Sequence, residues 1–112
     1  MARGRFEVQL TRGAEGDLES IFEYLAENDS VEQATKLLES FLSKVQTLER
    51  YPSRGSIPKE LETLGIREFR QLLLKPYRLI YRVMEDKVFV MLIADGRRDM
   101  QALLERRLLG GG

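Results

Sequence analysis

The chain has 112 residues, of which 43% are hydrophobic, and its 18 basic and 18 acidic side chains give a formal net charge of zero. This length predicts a single domain over residues 1–112. The sequence contains no cysteine and no histidine, which excludes disulfides, thiol catalysis, imidazole base catalysis and the usual zinc sites. No run of carboxylates has the spacing of a magnesium or calcium loop, so we expect no metal and no cofactor.

Charge is unevenly distributed along the chain. Residues 1–65 carry 8 basic against 12 acidic side chains, a balance of −4, and residues 66–112 carry 10 against 6, a balance of +4. A neutral chain with a pI of about 6.4 is a poor candidate for strong direct nucleic-acid binding. No segment has a signal peptide's apolar run or the roughly 20 apolar residues of a membrane span. We therefore expect a cytoplasmic protein with no membrane contact.

The first 28 residues predict a strand and then a helix. Arg5–Leu10 alternates polar and apolar side chains at period two, as a half-buried strand does. Thr11 offers a hydroxyl to cap the following helix, Ala14–Asn28. Apolar side chains recur along this helix at helical spacing and form one stripe, namely Leu18, Ile21, Phe22 and Leu25.

A second helix follows after a short connection. Ser30 and Gln33 have the spacing of a capping box, in which each side chain bonds to the backbone N–H of the other residue. An apolar stripe then runs from Ala34 to Leu48. Because the connection is short, we predict an antiparallel helix hairpin. Two prolines and a glycine within residues 51–58 end the second helix, and we expect a loop to about residue 65.

The remaining sequence predicts three strands and a last helix. The strands are Ile66–Leu74, Tyr77–Met84 and Lys87–Ala94, and their tight connections predict an antiparallel meander. The last strand is apolar on both faces, which predicts a central strand covered on at least one side by the helix pair. Asp99 can cap a helix from Met100 to about residue 109, and we expect the glycines at 110–112 to form a disordered tail. The sequence therefore predicts an α+β fold: an N-terminal strand, an antiparallel helix hairpin, a three-stranded antiparallel meander and a short C-terminal helix.

A basic cluster follows the last strand. Asp95, Gly96, Arg97, Arg98 and Asp99 are consecutive, and the two arginines are candidates for contact with an anionic or protein partner. The alternative is structural, because both arginines could pair with the neighbouring carboxylates and fix the last helix, and surface pairs of this kind contribute little.

The middle strand of the meander carries a second set of candidates. Arg78 and Arg82 alternate with apolar residues and share one face, which is either a solvated face or a binding face. Tyr77 and Tyr81 lie four residues apart, and we predict that they pack beneath the basic surface.

The order and spacing of these motifs resemble the RelE/ParE toxin superfamily of bacterial type II toxin-antitoxin systems. Lys75–Val83 is similar to the strand of the superfamily that reads PYRIIYRV, and Asp95–Asp99 is similar to its HGRRD turn. In the first helix Leu18, Ile21, Tyr24 and Leu25 also fit the superfamily pattern. The resemblance covers nearly the whole chain.

The superfamily contains two activities, and which of them the chain resembles more decides whether we expect an enzyme. The RelE branch is a ribosome-dependent mRNA endonuclease, in which the positions of Arg78 and Arg98 would supply positive charge and a tyrosine in the last segment would assist proton transfer. Met100–Arg107 contains no Tyr, Phe or His. The chain therefore looks more similar to the ParE branch, whose members bind and poison DNA gyrase, and we expect a binding protein with no catalytic residues more than an enzyme. The mRNA endonuclease and a non-toxic relic that only binds antitoxin remain as alternatives.

The resemblance also implies partners. Besides DNA gyrase, it implies a cognate antitoxin, ParD-like or related, with an acidic disordered tail that folds on binding, in a heterotetramer or larger complex. Arg97 and Arg98 are the first candidates for gyrase contact, with Arg78 and the last-helix residues Arg106 and Arg107 in support. A core of this size leaves apolar surface exposed, and an antitoxin segment could cover it in a groove or as an added strand. The candidates for that surface are Leu61, Leu64, Leu72 and Leu74.

Overall fold

The predicted order of elements is confirmed by a computed structural model, which describes residues 5–110. One short helix is added to that order. The elements are β1 (Glu7–Leu10), α1 (Arg12–Asn28), α2 (Val31–Thr47), α3 (Lys59–Glu62), β2 (Phe69–Leu74), β3 (Tyr77–Met84), β4 (Lys87–Asp95) and α4 (Met100–Leu108). Of the glycines predicted to form a disordered tail, residues 111 and 112 lie outside the described range.

Side-chain caps begin the three long helices where the sequence predicts them. The Thr11 hydroxyl accepts a hydrogen bond from the Ala14 N–H at 3.2 Å, and the Ser30 hydroxyl accepts one from the Gln33 N–H at 3.0 Å. The Asp99 carboxylate accepts one from the Ala102 N–H at 3.1 Å. These bonds satisfy backbone donors that the first helical turn leaves unpaired. The reciprocal bond from the Gln33 side chain is not formed among residues 5–110.

The sheet has four strands in the order β1, β4, β3, β2. Strands β2, β3 and β4 form the predicted antiparallel meander, and β1 pairs with β4 in parallel. Strand β4 is therefore central, as its apolar sequence predicts. It is covered on both faces, by the helix hairpin on one side and by α4 on the other.

A β-bulge at Met91 changes which residues of β4 point to each face of the sheet. Ile80 pairs with Leu92 whereas Tyr81 pairs with Val90, so Met91 is an extra residue without a partner on β3. The bulge shifts the alternation, so that Val90 and Ile93 face the helix hairpin while Leu92 faces α4. Two hydrophobic clusters result, one under α1 and α2 and one under α3 and α4.

Three sequence predictions need correction. The expected loop before residue 65 contains α3, and β2 begins at Phe69 because the Ile66 N–H donates to the Leu61 carbonyl and closes the turn after α3. Leu61 and Leu72 do not form surface patches, since their exposed fractions are 0% and 6% and both belong to the core.

None of the helices within residues 5–110 has the length and apolar character to span a bilayer.

Candidate functional site

The turn after β4 is organised by Asp95. Its Oδ1 accepts hydrogen bonds at 2.9 Å from both the backbone N–H and the Nε of Arg97, and its Oδ2 accepts one at 2.6 Å from Nη2. The Arg97 side chain, followed by its backbone N–H, lowers the pKa of Asp95 from 3.8 to about 2. The Arg97 side chain nevertheless remains 79% exposed. The pairing that the sequence offered as a structural alternative is therefore present for Arg97, while its guanidinium still reaches solvent.

Gly96 holds this turn against the start of β3. Its N–H donates to the Pro76 carbonyl at 2.8 Å. A Cβ at this position would lie 2.9 Å from Cδ of Arg78 and 3.3 Å from the Pro76 carbonyl oxygen. Only glycine fits without displacing Arg78, so the two family-like motifs are in direct contact.

Arg98 and Arg106 of the predicted target surface are exposed, as Arg97 is. The backbone N–H of Arg98 donates to the Asp95 carbonyl at 3.1 Å, which directs the chain into α4. The next carboxylate, Asp99, caps α4. Within residues 5–110 no carboxylate pairs with the guanidinium of Arg98 or of Arg106, so both present positive charge at the surface.

Arg78 lies inside the fold. Its two terminal nitrogens each donate to one oxygen of Glu60 at 2.8 Å, and its Nε donates to the Gln71 side chain at 2.8 Å. The exposed fractions of the Arg78 and Glu60 side chains are 14% and 15%. The hydrogen bonds from Arg78 lower the pKa of Glu60, although burial of the carboxyl opposes this. Arg78 thus ties α3 to β3, since each of its three side-chain nitrogens donates a hydrogen bond within the chain.

Arg107 is also engaged within the fold. It forms two hydrogen bonds of 3.0 Å to the carboxylate of Asp17 on α1, and Nη2 also approaches the Met91 carbonyl at 3.3 Å. Asp17 in turn accepts from the Ile93 N–H at 3.0 Å. A Cβ on Gly13 would lie 2.6 Å from Nη2 of Arg107, so a glycine leaves the space that this guanidinium crosses. The ion pair fastens α4 to α1 and to the bulge of β4.

The two tyrosines of β3 have different environments. Tyr81 is fully buried, as predicted, and its hydroxyl donates to the Pro52 carbonyl at 2.7 Å and accepts from the Gly55 N–H at 3.0 Å. Tyr77 is half-buried, and its ring meets Phe41 edge-on with 5.7 Å between centroids. Burial, and then the charge of Asp95, raises the pKa of Tyr77 above 10.0. On the opposite face of β3, Arg82 lies over the Phe69 ring at 5.7 Å.

A surface groove of about 620 Å³ lies between α1 and the end of β4, beside the arginine turn. Ile21 and Tyr24 fit the superfamily pattern of the first helix, but the sequence did not identify them as part of a binding groove, although residues 17, 20, 21 and 24 lie on one helix face. The groove is lined by Asp17, Ser20, Ile21, Tyr24, Leu25, Tyr77, Ile93, Ala94, Asp95, Arg97 and Arg98.

The predicted antitoxin-binding leucines that keep exposed surface lie on β2 and in the turn after α3. Leu64 is 50% exposed and Leu74 is half-buried. Leu73, which sequence reasoning missed, is 50% exposed on the same edge strand. Leu74 also lines a groove between β2 and α2 whose other walls carry three cationic side chains, Lys36, Lys44 and Arg54.

Comparison with known proteins agrees with these features. Residues 8–100 match the family model described as ParE toxin of type II toxin-antitoxin system, parDE. Toxin ParE3 of Caulobacter vibrioides is 31% identical over 97 residues, which are 87% of this chain and 93% of that protein.

Two solved structures have the same fold. A chain of the chromosomal ParDE toxin-antitoxin system from P. aeruginosa superposes with a TM-score of 0.67 at 21% identity, covering 80% of this chain and 95% of that one. A chain of the toxin-antitoxin complex RelBE2 from Mycobacterium tuberculosis gives 0.59 at 20% identity, covering 81% and 98%. The match to the family model, together with the similarity to ParE3, shows that the chain belongs to the ParE toxin family of type II toxin-antitoxin systems.

Proposed function

We propose that this toxin binds and inhibits DNA gyrase and that a cognate antitoxin neutralises it. Membership of the ParE family supports a toxin, and the arginine turn supports the mode of action. The observation that carries the proposal is the geometry of the arginine turn: hydrogen bonds from Arg97 to Asp95 and from Gly96 to Pro76 fix its backbone, while the side chains of Arg97 and Arg98 remain exposed.

The pKa of Asp95 is lowered to about 2 and that of Tyr77 is raised above 10.0, which is consistent with binding and not with turnover. A general acid or base works best when its pKa lies near the working pH. Asp95 and Tyr77 are both moved away from neutrality, so neither is suited to exchange a proton with an RNA 2′-hydroxyl. Exposed arginine side chains on a fixed backbone are well suited to bind carboxylates of a protein partner.

The basic groove beside β2 supports an antitoxin partner. In the groove Leu74 offers apolar contact, and Lys36, Lys44 and Arg54 offer positive charge along α2 and the following loop; Leu73 is exposed on the other face of the same strand. An acidic segment of the antitoxin would bind there, in the groove or as a strand added to the edge of β2. The edge is partly covered, because the Gln71 N–H already donates to the Ser56 carbonyl at 2.7 Å.

The test is a DNA supercoiling assay with purified gyrase, run beside a ribosome-dependent mRNA cleavage assay, with and without antitoxin. The native protein should block supercoiling or trap cleaved DNA, leave mRNA intact and lose its effect when antitoxin is added. The double variant Arg97→Ala/Arg98→Ala should no longer inhibit gyrase or growth. Arg50→Ala is the matched control, since Arg50 is an exposed arginine after α2, away from the turn.

Each other outcome contradicts a named part of the proposal. Cleaved mRNA with normal gyrase activity would identify a nuclease that works without the expected tyrosine. No effect in either assay would identify a protein whose role is limited to antitoxin binding. Loss of antitoxin binding together with toxicity in the double variant would give Arg97 and Arg98 a structural role.

A further inference from the structure

The groove beside the arginine turn combines an aromatic wall with an apolar floor. Tyr24 on α1 has an exposed fraction of 64%, which is high for a large aromatic side chain. It stands opposite Tyr77, the first residue of β3. Ile21, one turn earlier on α1, is half-buried between them and the sheet. An aromatic or aliphatic side chain of a partner would find contacts here on both sides.

The tyrosine hydroxyls of the groove have unused hydrogen-bonding capacity. The Tyr81 hydroxyl makes two hydrogen bonds to the backbone, whereas those of Tyr24 and Tyr77 make none with residues 5–110. No buried side-chain oxygen or nitrogen in that range lacks a partner, so the Tyr77 hydroxyl reaches solvent in the groove. A phenol hydroxyl is a good donor to a carboxylate.

The charges of the groove leave one cation uncompensated. Asp17 is bonded to Arg107 and to the Ile93 N–H, and Asp95 is bonded to Arg97. Arg98 has no such partner among the described residues. One guanidinium with phenol donors nearby suits one or two carboxylates. It is poorly suited to a run of DNA phosphates, which needs several free cations, whereas the other lining arginine, Arg97, is already paired with Asp95.

We propose that this groove, lined by Ile21, Tyr24, Tyr77 and Arg98, binds an acidic segment of gyrase, with an aromatic or aliphatic side chain seated between the two tyrosines. The proposal rests on the gyrase-binding function and names the contact for it. Tyr24 and Arg98 would then be the anchors, a pairing of residue types that often dominates the energy of protein interfaces.

The first test compares two tyrosines of equal exposure. Tyr24 and Tyr51 are both 64% exposed, and Tyr51 lies after α2, outside the groove. Tyr24→Ala should weaken binding to the gyrase holoenzyme by at least about tenfold, whereas Tyr51→Ala should change it by less than about twofold. Circular dichroism should show both variants folded, since both tyrosine side chains are largely exposed and neither belongs to the core.

The outcomes separate this proposal from the proposed function. If the native protein binds gyrase and Tyr24→Ala binds equally well, the groove is not the contact and gyrase binding stands without it. If the native protein does not bind gyrase, the proposed function fails, and the contact that rests on it fails too.

A second measurement identifies what occupies the groove. A photo-crosslinking amino acid, p-benzoylphenylalanine, replaces Tyr24 in one variant and Tyr51 in another, and each is irradiated with gyrase and DNA. We expect the variant at position 24 to crosslink to a gyrase peptide rich in Asp and Glu, and the variant at 51 to crosslink weakly or not at all. A crosslink from position 24 to DNA, or to a basic peptide, would overturn the proposal.

Discussion

At the scale of single residues, the arginines of the two family-like motifs have opposite roles. Arg78 is 14% exposed and bonded to Glu60 and Gln71, whereas Arg98 is exposed and has no carboxylate partner within residues 5–110. Strand alternation places Arg78 on a face but does not say what covers that face. Here α3 covers it, and α3 was expected to be part of a loop.

The ion pair between Arg78 and Glu60 is largely shielded from solvent and should matter for stability. In Arg78→Ala the Glu60 carboxylate loses its main partner and has little access to water in exchange. We therefore expect the free energy of unfolding to fall by about 3 kcal/mol. The matched control is Arg67→Ala, because Arg67 pairs with Glu62 at 2.9 Å while both side chains are at least half exposed. That change should cost less than about 0.5 kcal/mol. Urea unfolding at neutral pH measures both, and equal losses would contradict this difference.

The same pair predicts how stability depends on pH. The pKa of Glu60 is lower in the folded protein than its ordinary value of 4.5. A lowered pKa contributes stability that is fully present above 4.5 and is lost as the pH falls through the folded value. The native protein should therefore lose more stability than Glu60→Gln between neutral pH and pH values below that range. Parallel acid-limb curves for the two proteins would contradict the assignment.

Asp95 should titrate at an unusually low pH. Its pKa of about 2 results first from the Arg97 side chain and then from the Arg97 backbone N–H. In Arg97→Ala the backbone donor remains, so we expect the pKa to rise only part of the way to 3.8. Carbon-detected NMR of the carboxyl group measures this shift. An unchanged pKa in the variant would mean that the backbone of the turn, and not the arginine, holds the carboxylate.

At the scale of elements, α4 is positioned by a contact far from it in sequence. Arg107 and Asp17 lie 90 residues apart and are joined by two hydrogen bonds of 3.0 Å, with exposed fractions of 27% and 18%. Because α4 follows directly from the arginine turn, this ion pair also restrains the direction in which Arg98 projects. We therefore regard Arg107 as a residue that positions the proposed target surface.

Loss of the ion pair between Arg107 and Asp17 should make α4 less stable. In Arg107→Ala we expect the free energy of unfolding to fall by about 2 kcal/mol and the amides of residues 103–108 to exchange hydrogen faster. The adjacent Arg106→Ala is the control, since Arg106 is exposed and makes no ion pair among the described residues. Hydrogen exchange followed by mass spectrometry resolves this segment. Equal protection of α4 in both variants would show that Leu103 and Leu104 suffice to hold the helix.

The elements show which features a sequence can predict. The caps at Thr11, Ser30 and Asp99 and the central position of β4 follow from local residue types and from periodicity. Helix α3 is a single turn, too short for periodicity to reveal. The bulge at Met91 and the ion pairs of Arg78 and Arg107 depend on contacts between distant segments, which no local pattern specifies. The groove beside Tyr24 was missed for the same reason, because its two walls are about 70 residues apart in the chain, as the numbers of Tyr24 and Asp95 show.

At the scale of the whole molecule, the two proposed partner surfaces lie at the same end of the sheet. Leu74 pairs with Tyr77 across β2 and β3, and Tyr77 pairs with Asp95 across β3 and β4. The antitoxin surface proposed at β2 and the arginine turn are therefore separated by about two strand spacings, roughly 10 Å. An antitoxin bound along β2 needs only a short extension to reach Arg98, so neutralisation by covering the target surface is geometrically direct.

This arrangement predicts that a mutation can weaken antitoxin binding without changing gyrase inhibition. Leu73→Asp places a negative charge on the exposed edge of β2, where it repels an acidic segment, so antitoxin affinity should fall by at least about tenfold. Gyrase inhibition should be unchanged, because Leu73 lies outside the groove lined by Tyr24 and Arg98. In cells, co-expressed antitoxin should then fail to restore growth.

The control for this separation is Leu42→Asp, since Leu42 on α2 has a similar exposed fraction, 47% against 50% for Leu73, and lines neither groove. Its toxicity should still be neutralised by the antitoxin. Growth restored in Leu73→Asp to the same extent as in Leu42→Asp would place the antitoxin away from the edge of β2. An acidic antitoxin segment would then have to reach Arg98 without adding a strand to that edge, for instance through the groove that Lys36, Lys44, Arg54 and Leu74 line on the other face of β2.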